Sequence, residues 1–420
     1  MSGKAWSGSL GAVAKLAAFG ALALAVAACG KDASSASGGA FDPIGRFGAV
    51  EGYLYVTSVG SLPAPLNRFA SLALPAAGTK RGDGQIDVFL VDPRNGNLML
   101  VQTLQGGTPV GPVYFDGFLY SPNFYDASVN SDAADLLDGA LTPVAGSPFV
   151  AGSFPARVAI GASGKFLYAP SYGAADIFAY SVSSGALTAL GGSPFAFDGA
   201  APGNAVTDAA GRYLYVLDAA EFGGVVAYSI DPTTGALTQI AGSPFAAGNF
   251  PTDLKIDPTG QFLYVSNGGD DTVSVYTIDP VTGFLTAQTG PLATVGSLPL
   301  RVFVVQVPGG AEYLYVPNGD DNTISGFSID LTTGALTPTP RSPFRTGMFP
   351  FDLAVDSSNY YSSNLYLYVA NSGGGGATNR GSVSAFKIDA ASGYLTLISQ
   401  APYPAGVNAN GIVFVPIAAG

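Results

Sequence analysis

The chain has 420 residues, with 57 glycines, 30 prolines, 48% hydrophobic residues and only 11% charged ones. This is a turn-rich chain with too much apolar material to be disordered. Its 17 basic and 29 acidic residues give a formal net charge of −12, which argues against nucleic acid or an anionic lipid surface as a partner.

In chain order, residues 1–28 read as an export signal. Lys4 and Lys15 mark a basic region. Residues 16–28 are apolar, end in small side chains and are too short for a comfortable membrane span. The end, Val26-Ala27-Ala28-Cys29, resembles a bacterial lipobox. That resemblance implies a lipid on Cys29, hence a lipid-anchored protein of the cell envelope (outer membrane or periplasmic face if the cell is Gram-negative). The alternative is an ordinary signal peptide with a chance cysteine. Gly30 follows, with no Asp there to signal inner-membrane retention. Residues 29–46 read as a flexible tether, and residues 47–420 as one folded domain.

Within that domain one unit repeats about every fifty residues. Its clearest copy is FPTDLKIDPTGQFLYVSNGGDDTVSVYTIDPVTGFL at 250–285. The order is P-x-[D/N/R], an apolar triplet, a Gly turn, [F/Y]-L-Y-V, a loop, a strand ending in Ile-Asp, T-G-x-L-T and often G-S-P-F. Prolines open successive units at Pro155, Pro202, Pro251, Pro299 and Pro350, and a degenerate unit opens near Pro109. The second-strand motif recurs at 53–56, 118–120, 166–168, 213–216, 262–265, 313–316 and 365–369. The first of these has no strand before it, and an orphan strand at 411–415 ends the chain. Four strands per period predict an all-β, seven-bladed β-propeller of four-stranded blades, closed where the C-terminal strand joins the N-terminal blade. Closure would leave no open sheet edges. Blade two looks irregular, because no clean third strand is legible between residues 121 and 138.

In such a ring, the loops entering the first strands and those joining second to third strands share one mouth of the channel. Apparent insertions at 57–85, 121–138, 217–224 and 371–382 mark that mouth as a binding face, although length drift in free loops would look the same. The residue two after each opening proline is Gly111, Arg157, Asn204, Asp253, Arg301 or Asp352, and the closing strand supplies Asn410. These side chains should circle the entrance. They suit a small polar or anionic ligand clamped by Arg, and equally a structural role in capping strands and pairing Arg with Asp. A second group, Asn267, Asp270 and Asp271 with Asn318, Asp320 and Asp321, offers oxygen ligands of the kind Ca²⁺ takes. Its spacing matches no recognised ligand loop, and Asn and Asp are ordinary turn residues. No cofactor is expected.

Histidine is absent and Cys29 is the sole cysteine. That excludes Ser-His-Asp and Cys-His catalysis and an intrachain disulfide, and it leaves zinc without its usual ligands. Gly161-Ala162-Ser163-Gly164-Lys165 aligns with the turn at 257–261. Phe166 follows where a phosphate loop needs Ser or Thr, so the segment reads as a turn.

Tyr55-Val56-Thr57-Ser58, Tyr264-Val265-Ser266-Asn267, Tyr315-Val316-Pro317-Asn318 and Tyr368-Val369-Ala370-Asn371 look like the YVTN propeller repeat. With I-D-x-x-T-G-x-L-T they resemble the seven-bladed lactonase family over residues 50–416. That family includes bacterial 6-phosphogluconolactonase and fungal muconate-lactonising enzymes. The resemblance implies hydrolysis or isomerisation of a lactone or sugar acid at the channel mouth, by a site of His, Arg and Glu. Among Glu51, Glu221 and Glu312, only Glu221 falls on that mouth. Arg157 and Arg301 match the anion-binding arginines, and Asn204 stands where another polar or basic group is expected. Glu221 or Asp253 would activate water. The alternative is a non-enzymatic envelope propeller that binds a ligand or scaffolds protein partners.

Overall fold

The structure is a computed structural model that describes residues 52–58, 84–92, 94–290, 292–356, 365–373, 380–398 and 400–417. Cys29, the proposed tether and Glu51 lie outside these residues, as do 59–83 of the first insertion and 374–379 of the last. Among the described residues no helix is long and apolar enough to cross a membrane.

The strands form seven antiparallel sheets, one per repeat, arranged as the blades of a propeller. Blade five shows the pattern, with Pro251–Ile256 innermost, then Phe262–Asn267, Thr272–Ile278 and Leu285–Ala287. The outer edge is broken in two. Leu285–Ala287 pairs with one half of the third strand, and a short piece, Ala293–Thr294, pairs with the other half. In four other blades the Ser of the Ser-Pro-Phe motif sits at this break, before a cis proline. Its hydroxyl accepts the third-strand N–H that the break leaves over: Ser131 to Ser147, Ala179 to Ser193, Ala227 to Ser243 and Gly326 to Ser342. The motif thus completes a ladder that would otherwise hold an unpaired donor.

Blade one is closed as its missing first strand requires. Gly52–Ser58 pairs with Gln85–Val91 on one side and with Ala409–Pro416 on the other. Blade two departs from expectation. Residues 121–138 are not an irregular loop, because Ser128–Ala134 is a regular third strand paired with Phe118–Asn123. Its sequence, SVNSDAA, replaces the apolar alternation of other third strands with small polar groups. Val129 and Ser131 are nevertheless fully buried. The connection there is only 124–127, and the one expected at 217–224 is only 219–223. Neither is an insertion when set against 268–271 in blade five.

One contact repeated around the ring explains two motifs at once. The Tyr of [F/Y]-L-Y-V donates across the blade boundary to the carbonyl of the T-G-x-L-T glycine in the following blade. The pairs are Tyr55 to Gly139, Tyr168 to Gly235, Tyr215 to Gly283, Tyr264 to Gly334, Tyr315 to Gly393 and Tyr368 to Gly96, at 2.8–3.1 Å. At the remaining boundary Ser131 Oγ donates to Gly185 instead. The preceding aromatic covers the same glycine. A Cβ on Gly334 would lie 2.5 Å from the Phe262 ring, at a backbone φ of +73°. Only glycine fits there, on both counts.

Candidate functional site

The innermost segments carry the residue two after each opening proline to one end of the channel, and five of these residues form a closed ring of contacts. The Arg157 main-chain N–H donates to Asn204 Oδ1, and Asn204 Nδ2 donates to Asp253 Oδ1 at 2.9 Å. Arg301 stands 3.8 Å from Asp253 and 3.8 Å from Asp352. Asp352 returns to Arg157 across the channel, with Nη2 to Oδ2 at 2.6 Å. Blades three to seven are joined in this way. Gly111 of blade two lies beside this arginine: at its φ of +41° a Cβ would sit 3.3 Å from the Arg157 side chain. Asn410 stands aside and accepts from Thr57 Oγ1 at 3.2 Å.

The two carboxylates are heavily engaged. Asp253 also accepts the Val302 N–H, and Asp352 accepts those of Leu353 and Ile412. Burial opposes the charge on Arg157, but Asp352 and Asp253 outweigh it and hold its pKa above the ordinary guanidinium value. For Arg301, burial and repulsion from Arg157 win over the same two aspartates and lower it. Both arginines remain charged. The Nε atoms of Arg157 and Arg301 are buried and have no hydrogen-bond acceptor among the described residues.

Glu221 lies elsewhere. It is exposed on the 219–223 connection, where its main-chain carbonyl accepts the Phe250 N–H at 3.1 Å. Glu312 opens the second strand of blade six. It is buried against Gln306, with its carboxyl pushed up to about 7 chiefly by burial.

The acidic loop residues do not gather into a calcium site. Asp270 accepts from the main chain and side chain of Asn249, Asp271 from the Leu298 N–H and Asp321 from the Ser297 N–H. Among the described residues no group of three or more His, Cys, Asp or Glu side chains could hold a metal. Asn267 and Asn318 are strand-end fasteners. Each accepts a loop N–H, from Gly248 and Gly296, and donates to two hydroxyls of the neighbouring third strand.

Below the polar ring the channel holds a cavity of about 340 Å³ lined by all seven blades. Arg157 roofs it, and Lys255 lines its wall. Sequence reasoning missed Lys255. The signal was the same count from the opening proline, taken two residues further.

The family model for lactonases described as seven-bladed β-propellers matches residues 123–249 and 239–348, more than half of the chain. The chain belongs to the seven-bladed β-propeller lactonase family. No curated protein matches it in sequence. Among solved structures, this lactonase-family propeller is similar to a candidate 6-phosphogluconolactonase of Bacteroides fragilis. That likeness has 22% identity and a TM-score of 0.66, over 87% of this chain and 98% of the other. It is also similar to the periplasmic gluconolactonase of Pseudomonas aeruginosa, at 18% identity and a TM-score of 0.64, over 86% and 99%. At these identities the likeness concerns the fold.

Proposed function

We propose that this lactonase-family propeller binds a lactone, or the sugar acid it opens to, against Arg157 and Arg301, and supports hydrolysis of the lactone. We place it in the cell envelope, held by a lipid on Cys29. The observation that carries the reading is the pair of guanidinium groups that Asp253 and Asp352 hold at one end of the channel. A ligand carbonyl or carboxylate would find cationic donors there. As water adds to a lactone carbonyl, charge develops on its oxygen, and fixed cationic donors in a water-poor site stabilise that charge. Asn204 accepts the Arg157 main-chain N–H and Asp253 pairs with Arg301, which restrains both arginines. The periplasmic gluconolactonase among the structural neighbours accords with lactone chemistry outside the cytoplasm.

A second reading, ligand binding without turnover, is favoured by the state of the possible bases. Asp253 is already bonded to Asn204 and Val302, and Glu221 is exposed on a loop. A pH-stat assay of the purified protein with glucono-lactone and 6-phosphogluconolactone decides between them. Turnover above the spontaneous rate is expected, with kcat/KM reduced about 10²-fold in Arg157→Gln or Arg301→Gln, the loss typical of one oxyanion donor. Gluconate binding that depends on the arginines, with no turnover, would establish the second reading. Absence of both would sink the site.

A further inference from the structure

We infer that the channel cavity is a second binding site, centred on Lys255, for a small carboxylate that has an apolar body. The equivalent position in the other six blades is Val113, Ala159, Val206, Phe303, Ala354 or Ile412, and all seven residues line the cavity. One lysine therefore stands in a ring of six apolar side chains. Above it the two arginines and two aspartates balance, so Lys255 is the uncompensated charge of the channel. Among the described residues no carboxylate pairs with its ammonium. Its nearest recorded companion is the Phe303 ring, 5.9 Å from Nζ to the centroid.

Burial, reinforced by Arg157, pushes Lys255 below the ordinary lysine value against the pull of Asp253 and Asp352. A cation set among apolar side chains favours a counter-charge beside it. A carboxylate head would face Lys255, and its hydrocarbon body would lie on the six apolar residues. A cavity of about 340 Å³ has room for a molecule of that size. The site lies below the polar ring and does not depend on lactone turnover.

The test is thermal unfolding of the full-length protein with hexanoate, hexanol or gluconate, in the wild type and in Lys255→Met. Hexanoate at about 100 times its Kd should favour the folded state of the wild type about 100-fold, and hexanol should not. Lys255→Met should lose the hexanoate response and, without ligand, be at least as stable as the wild type. Three results would each overturn the proposal: no hexanoate response in the wild type, an equal response in Lys255→Met, or a Lys255→Met protein that is less stable or unfolded without ligand. The last would make Lys255 a structural group. Gluconate reports on the polar ring alone. A gluconate response retained in Lys255→Met alongside a hexanoate failure rejects only this site, and the converse rejects only the upper one.

Discussion

Tyr264 and Gly334 are 70 residues apart in sequence and in hydrogen-bond contact in space. Tyr264→Phe leaves the glycine carbonyl buried without its donor and is expected to lower stability by about 1–2 kcal/mol, measured by urea denaturation. Gly334→Ala should be worse, since it adds a clash with Phe262 to an unfavourable φ. From sequence, F-L-Y-V and T-G-x-L-T were legible as core and turn. Their partnership was not, because the two halves of the contact lie in different repeats. Asp132 offers a pH test. It is buried in blade two, with its carboxyl raised to about 6 by burial. The folded state thus prefers the protonated form. Below about pH 4 both states are protonated and nothing is lost; the penalty builds between about pH 4 and 6, where the unfolded chain ionises and the folded one does not, and is complete above about 6. Asp132→Asn should therefore stabilise the protein at pH 7 by on the order of 1–2 kcal/mol, with the gain vanishing near pH 4.

Among the elements, the closing strand Ala409–Pro416 carries the sharpest expectation. It pairs along the length of Gly52–Ser58, and its removal exposes a strand whose residues are all buried. A chain truncated after residue 406 should lose the wild-type thermal transition and aggregate on heating, as open edges do. Unfolding at the wild-type temperature would show the strand to be dispensable. Closure was readable because a motif without a first strand and a strand without a motif sat at opposite ends of one chain. The third strand of blade two was unreadable because its register comes from main-chain pairing, and small polar side chains such as Ser128 and Ser131 hide the alternation.

At the scale of the whole molecule, the polar ring ties blades three to seven together across the channel axis. Asp352→Ala would leave Arg157 and Arg301 facing each other without that carboxylate, and the loss should be about 3–5 kcal/mol, read as a lowered denaturation midpoint. The membership of this ring was legible because each residue stands at a fixed offset from an opening proline. Its pairing was not, since Arg157 meets Asp352 only once all the blades are in place. Lys255 stood at an equally fixed offset and was passed over because its six counterparts are apolar and read as core.

Blade one joins strands far apart in the chain: Thr57 and Asn410, 353 positions apart, share a hydrogen bond. A chain that emerges from its N-terminus thus carries an incomplete first blade until Ala409–Pro416 arrives. Contacts of such long range form late, so blade one is expected to be completed last. A chain that stops short of residue 409 can build blades two to seven, but it leaves Gly52–Ser58 as a sticky edge that quality-control proteases and chaperones can recognise.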